Sequence, residues 1–183
     1  MTDQLALMAA LTESQRLGFL GSRPIEEVIE HARAFVAGLR LVDGGCRVID
    51  LGSGGGVPGL VIAHDRPDLQ VTLLDRRTKR TDFLERMVRR LGWDERVSVI
   101  AGDVADFDPH PRFDAAVARG FGPPTQTLRV AASMVRPGGF VVISEPPQGD
   151  RWDADVVASL CVERVRSPVA AGRVVVFARL PDA

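Results

Sequence analysis

Residues 48–59 read Val-Ile-Asp-Leu-Gly-Ser-Gly-Gly-Gly-Val-Pro-Gly, and this stretch limits the fold more than any other. An apolar run ends in Asp50, and glycines follow at alternate positions: Gly52, Gly54 and Gly56. Such a run reads as a buried strand opening into a turn whose bare backbone a ligand can approach. Twenty-three residues after Gly52, a second apolar strand, Val71 to Leu74, ends in Asp75. A carboxylate there can accept hydrogen bonds from both hydroxyls of a ribose. Strand, glycine turn, helix, strand and acidic residue is the order of an α/β nucleoside-binding unit.

The rest of the chain agrees with that class. Residues 1–20 read as helical, with Leu5, Met8, Leu11 and Thr12 on one side. Gly18, Gly21 and Pro24 interrupt, and Pro24 followed by Glu26 and Glu27 starts a second helix. Val28, Ile29, Ala32, Phe35, Val36 and Leu39 recur on it at helical spacing. Strands and helices then alternate. Strands are expected at Arg47 to Leu51, Val71 to Leu74, Val97 to Ala101, Phe113 to Ala118 and Phe140 to Ser144. Helices are expected at Gly59 to Asp65, Thr78 to Leu91, Thr125 to Val135 and Asp153 to Leu160. Alternation of this kind gives a doubly wound, mostly parallel sheet of α/β class. The last two strands, Cys161 to Arg166 and Val174 to Leu180, lack a long crossover and should form an antiparallel hairpin around Ala171-Gly172, closing a sheet of seven. The expected organisation is a single domain: a helical extension over residues 1–42 and a cofactor-binding core over 46–183.

Composition excludes several alternatives. A chain of 183 residues with 45% hydrophobic and 26% charged residues has an ordinary globular balance. It carries no apolar run of the roughly 18 residues a membrane span needs. Asp3 stands where a signal peptide would be basic, so the expected location is cytoplasmic. Cys46 and Cys161 lie 115 residues apart, offer no metal-ligand spacing, and read as reduced packing residues. No metal is expected. Net charge is −1, so any nucleic-acid contact must come from a local patch.

A nicotinamide site would share the glycine turn. Three features favour S-adenosylmethionine instead. Asp50 stands two residues before Gly52, where a dinucleotide motif is usually apolar; it can engage the turn backbone or, through water, the ammonium of a methionine moiety. Pro58 inside the turn suits a ligand with no pyrophosphate to seat. The turn at Arg136-Pro137-Gly138-Gly139 and the antiparallel closing strands suit a class I methyltransferase sheet. Asp103 follows the third strand and could accept from an adenine amine, with the backbone of Val104 or Ala105 facing a ring nitrogen. Arg119 follows the fourth. Every candidate falls at the carboxyl end of a parallel strand, where open sheets bind ligands.

Asp50 to Gly59, then Arg66-Pro67-Asp68-Leu69, then Leu73-Leu74-Asp75-Arg76-Arg77-Thr78-Lys79-Arg80 with Phe83-Leu84, resemble the glucose-inhibited division protein B family, the small-subunit ribosomal RNA methyltransferases G. The resemblance continues through Ala118-Arg119 and Arg136 to Gly139, over about residues 45–145. It implies a class I fold, S-adenosylmethionine as cofactor, and methylation of a guanine N7 in ribosomal RNA of the small subunit. It implies cofactor contacts at Gly52, Val57, the Val104-Ala105 backbone and Arg119. The chain departs from the family pattern at Gly120-Phe121-Gly122-Pro123-Pro124 and at Ser144-Glu145-Pro146-Pro147, both on the substrate side.

Guanine N7 has a lone pair and no proton to lose, so no general base is required, and none is evident. His31 and His64 read as helix-surface residues and His110 as a loop residue. Arg119 is the candidate catalytic residue, acting by positioning. For RNA, Arg76, Arg77, Lys79 and Arg80 cluster beside Asp75, and Arg86, Arg89 and Arg90 continue along the same helix. Phe121, between two glycines, is the candidate exposed stacking residue, while Trp93 and Trp152 should pack at helix ends. Two other readings use the same fold: a methyltransferase of a small molecule, and a non-catalytic nucleotide-binding scaffold.

Overall fold

A computed structural model of the chain describes residues 3–108, 110, 112–145, 151–165 and 174–181. Seven strands form one sheet: β1 (Arg47–Leu51), β2 (Gln70–Asp75), β3 (Val97–Ala101), β4 (Phe113–Ala118), β5 (Val135–Ser144), β6 (Val162–Val165) and β7 (Val174–Arg179). Their spatial order is β3-β2-β1-β4-β5-β7-β6. The first five run parallel, and β7 is antiparallel to both β5 and β6. The expected turn at Ala171-Gly172 lies outside the described residues. The order reverses between β1 and β4, which opens a crevice at their carboxyl ends.

Among the described residues six helices cover the two faces: α1 (Asp3–Arg16), α2 (Ile25–Gly38), α3 (Gly59–Asp65), α4 (Thr78–Leu91), α5 (Pro124–Met134) and α6 (Ala154–Ser159). Side chains along each strand alternate between two cores. Val48, Val71, Leu73, Ala115, Val117 and Val142 face one side and pack with α1 to α4. Ile49, Leu51, Leu74, Ala116, Ala118 and Ile143 face the other and pack with α5. The two N-terminal helices therefore share the first core. Where α2 meets the sheet, a Cβ on Gly38 would lie 2.8 Å from Val142, so glycine permits the approach. Helix α4 ends at Gly92 in the left-handed conformation, with the Trp93 N–H donating to the Val88 carbonyl at 3.0 Å.

Two elements differ from the sequence reading. Helix α1 stops at Arg16 and buries Leu7, Ala10, Leu11 and Ser14, while Leu5 is 53% exposed. Its apolar pattern is weak, and packing against α3 and α4 chose a different face. Strand β5 begins at Val135, not Phe140: Val135 pairs with Phe113, the register shifts, and Phe140 pairs with Ala115. The Pro137-Gly138-Gly139 turn is thus a bulge inside a longer strand. A Cβ at Gly139 would collide with the Asp114 carbonyl, so the bulge requires glycine there.

Candidate functional site

The glycine turn is held from three directions. Gly52, Gly54 and Gly56 all have positive φ (70°, 55° and 93°), which an L side chain rarely adopts. Asp50, at the end of β1, is buried, and its Oδ2 accepts the Gly59 N–H at 3.0 Å, closing the turn onto the start of α3. Asp75, at the end of β2, accepts the Gly54 N–H at 2.8 Å through Oδ2 and the Arg77 N–H at 2.9 Å through Oδ1. From behind, the buried Ser14 hydroxyl of α1 donates to the Gly55 carbonyl at 2.8 Å. A Cβ on Gly55 would lie 2.5 Å from that hydroxyl. The contribution of Ser14 was not legible in the sequence. Its only signal is a lone polar residue at i+7 from Leu7 on the apolar side.

Of the two roles open to Asp50, the structure shows contact with the turn backbone. Its Oδ1 is sealed from solvent and has no hydrogen-bond partner among the described residues. Burial pushes its carboxyl up to about 7; the nearby Ser53 hydroxyl, which donates to the Asp50 backbone carbonyl at 2.9 Å, the bond from Gly59 and the Arg119 charge oppose the rise, and Asp75 adds to it. Burial also pushes Arg119 down from its ordinary value, with Asp50 opposing and Arg23 reinforcing.

A cleft of about 760 Å³ opens at the carboxyl ends of β1 to β4. Among the candidates, Gly52, Asp75, Arg76, Arg77, Arg80, Asp103, Val104, Ala105 and Phe121 line it. Asp50, Gly54, Gly56 and Val57 are buried behind the turn, and they shape the cleft without lining it. Asp103 caps a 3₁₀ turn over Val104–Asp106, its Oδ1 accepting the Ala105 N–H at 3.0 Å. Of the two backbone groups expected to face a ligand ring, Val104 or Ala105, the Ala105 N–H is thus engaged within the turn. Gly102, Phe107, Arg112 and Gln126 are among the further residues of its walls and were not singled out from the sequence.

Arg119 lies elsewhere. It lines a second cavity of about 550 Å³ with Arg23, Val28, His31, Ser144, Glu145 and Arg151. Strand alternation explains the placement. Ala118 points to the α5 side, so the next residue points to the α2 side, where Asp50 also lies. Gly120 lines both cavities, so they adjoin there. His31 consequently lines a cavity instead of standing on an open helix surface. His64 is half-buried, 2.6 Å from Asp65. His110 is exposed, as expected.

The basic cluster divides. Arg80 turns inward, its Nη1 3.8 Å from Asp75 Oδ2 and beside Gly54. Arg76 and Arg77 are exposed at the cleft rim, and Lys79 is exposed away from it. Arg86 and Arg90 lean onto Glu13 of α1 at 4.0 and 3.1 Å, and Arg89 onto Glu85 at 3.7 Å, so the far half of the helix is internally paired. Phe121 is half-buried and not exposed: its ring packs over Gly52, 3.0 Å from where a Cβ would sit. Trp93 packs after α4, and Trp152 packs edge-on to Phe177 at 5.1 Å. Both cysteines are free, Cys46 half-buried and Cys161 exposed. No cluster of metal-ligating side chains occurs among the described residues, and no helix among them is long and apolar enough to cross a membrane.

The sequence profile of the family described as rRNA small subunit methyltransferase G matches residues 5–148. A ribosomal RNA small subunit methyltransferase G of Neisseria meningitidis is 35% identical over 143 residues, covering 76% of this chain and 66% of that protein. One from Chromobacterium violaceum is 38% identical over 99 residues, covering 54% of this chain and 47% of its own length. The chain spans about half to two thirds of the length of these curated relatives. Among solved structures, an S-adenosylmethionine-dependent methyltransferase from Thiobacillus denitrificans, in complex with S-adenosyl-L-homocysteine, superposes with a TM-score of 0.59 at 25% identity, covering 75% of this chain and 65% of that one.

Proposed function

This chain belongs to the rRNA small subunit methyltransferase G family, and from that premise we propose that it methylates a guanine N7 in small-subunit ribosomal RNA with S-adenosylmethionine as donor. The observation that carries the reading is the range of the family match. Residues 5–148 take in Ser14, the glycine turn, the cleft and Arg119. The cleft fits the cofactor. It offers carboxylates at Asp75 and Asp103, and the bare backbone of Gly52 gives close access to the strand end.

S-adenosylmethionine supplies an electrophilic methyl group on a sulfonium whose departure as a thioether needs no acid. The chain's own residues then have to align and desolvate the reactants. Asp75 is placed to receive the ribose hydroxyls with the lone pairs left by Gly54 and Arg77. Asp103, Val104 and Ala105 form the adenine end. Arg119 reaches the donor from the second cavity, where it holds either the methionine carboxylate or the target base. Since N7 carries no proton, no residue is asked to act as a base. Arg76 and Arg77 at the rim, and Lys79 beyond it, contact RNA phosphates. Residues 1–42 serve the core over 46–183 as a helical extension that holds the turn through Ser14. The reaction takes place in the cytoplasm, where small subunits are assembled.

The test is transfer of labelled methyl to undermethylated small-subunit RNA, free and assembled, with the modified nucleoside identified by mass spectrometry. N7-methylguanosine that disappears in Arg119→Ala is the expected result. Label in small metabolites alone would overturn the RNA substrate. Calorimetry that finds no binding of S-adenosylhomocysteine at millimolar concentration would overturn the enzyme altogether.

A further inference from the structure

The second cavity holds a carboxylate that neither the fold nor the proposed reaction uses. Glu145 follows β5 directly and is only 8% exposed. Its Oε2 accepts the Trp152 indole N–H at 2.6 Å, which fixes the side chain. Its Oε1 is sealed from solvent and makes no hydrogen bond among the described residues. The nearest cation, the Arg151 Nε, stands 3.7 Å away, beyond hydrogen-bond reach, while that guanidinium donates to the Ser144 carbonyl at 2.7 Å. A buried acceptor without a donor keeps the full cost of its lost hydration. Such a group, fixed at the wall of a cavity that also contains Arg119, is placed to meet a donor carried by a ligand.

We infer that Glu145 selects the methyl acceptor, its carboxylate receiving the N1–H and the exocyclic N2 amine of a guanine. This inference rests on the guanine reading above. Of the four RNA bases only guanine presents two adjacent donors on its pairing edge. Adenine and cytosine place an acceptor beside their amine, and uracil sets one N–H between two carbonyls. The N7 edge lies across the ring from those donors. A guanine held at Glu145 therefore turns N7 away from β5, toward Gly120, where the cavity meets the cofactor cleft. Arg151, whose side chain is 34% exposed, gives up its bond to the Ser144 carbonyl and turns toward solvent as the base enters. Sites built to bond a polar edge reject analogues that lack it, because the buried partner is left unpaired.

The experiment compares ligated small-subunit RNA carrying guanosine at the methylated position with the same RNA carrying inosine there. Inosine keeps N7 and N1–H and loses the N2 amine. The wild-type chain should show a kcat/KM about tenfold lower on the inosine RNA. Glu145→Gln keeps a carbonyl for the Trp152 N–H and puts an N–H in place of an acceptor. It should lose about 10- to 100-fold on the guanosine RNA, and its guanosine preference should vanish. Its affinity for S-adenosylhomocysteine should stay within about twofold of wild type, since Glu145 does not line the cofactor cleft. Equal wild-type rates on the two RNAs would overturn the inference without any variant. So would a Gln variant that keeps the guanosine preference, because a structural role would lower both rates alike. Absence of transfer to either RNA by a wild-type chain that binds the cofactor would instead refute the guanine reading, and this inference with it.

Discussion

The buried carboxyl of Asp50 makes stability depend on pH in a direction opposite to that of most aspartates. Its ordinary value is 3.8, and burial raises it to about 7 in the folded chain. Between those values the folded chain keeps a proton that the unfolded chain has released, so stability falls as pH rises. Below 3.8 the effect is absent, and above about 7 it is complete. At 1.36 kcal/mol per tenfold change in proton affinity, the whole window amounts to about 4 kcal/mol. About 2–3 kcal/mol of that falls between pH 5 and 8, where the unfolded carboxyl is already ionised. Asp50→Asn removes the titration and keeps a carbonyl to accept the Gly59 N–H. With a urea slope of about 2–3 kcal/mol per M, the wild-type midpoint should drop by about 1 M more than the variant's from pH 5 to 8. Subtracting the variant removes every contribution common to both chains. Parallel losses in the two proteins would refute the assignment of the raised pKa to Asp50, and with it the claim that this carboxyl is held dry behind the turn.

Ser14→Ala should cost about 1 kcal/mol of stability by calorimetry and weaken S-adenosylhomocysteine several-fold, since the Gly55 carbonyl loses its donor; unchanged affinity would show that α1 does not shape the turn. Gly59→Ala puts a Cβ against Leu73 and 2.6 Å from Asp50 Oδ2, so it should destabilise the chain by about 1–3 kcal/mol in urea melts; an unshifted midpoint would mean that the start of α3 can yield. Arg119→Ala should abolish methyl transfer at least about tenfold while moving the thermal midpoint by only a few degrees; normal turnover would remove Arg119 from the reaction. Lys79→Ala should lower the log–log salt slope of RNA binding by about 1; an unchanged slope would place the phosphate contacts elsewhere.

The parts of this molecule that were legible are those in which neighbours in the chain are neighbours in space. Strands β1 to β4 were readable from apolar runs, and Asp50, Gly52 and Asp75 from their position at strand ends. The misread parts were decided by packing between distant segments. Leu5 and Leu7 are equally apolar, and only the surfaces of α3 and α4 settle which of them is buried. The bulge at Gly138 is a turn by its residues and a strand by its pairing with β4. Phe121 looks exposed between two glycines, but the bare backbone of Gly52 leaves room for its ring.

The same distinction separates the two halves of the site. The cleft at the ends of β1 to β4 is built mainly around one continuous motif and the ends of β2 and β3. The second cavity draws on Arg23 before α2, His31 of α2, Arg119 after β4, and Glu145 and Arg151 after β5. The connection between α1 and α2 that supplies Arg23 is itself held by Gln15, whose amide donates to the Gly21 and Arg23 carbonyls at 2.6 and 2.8 Å. If this cavity takes the base as inferred above, substitutions here change which base is accepted without disturbing any residue of the glycine turn. Of the departures from the family pattern, Gly120 is shared by both cavities, and Ser144 and Glu145 line the second. A change of acceptor would therefore appear first as altered guanosine preference at undiminished cofactor affinity, and only the two measurements together can detect it.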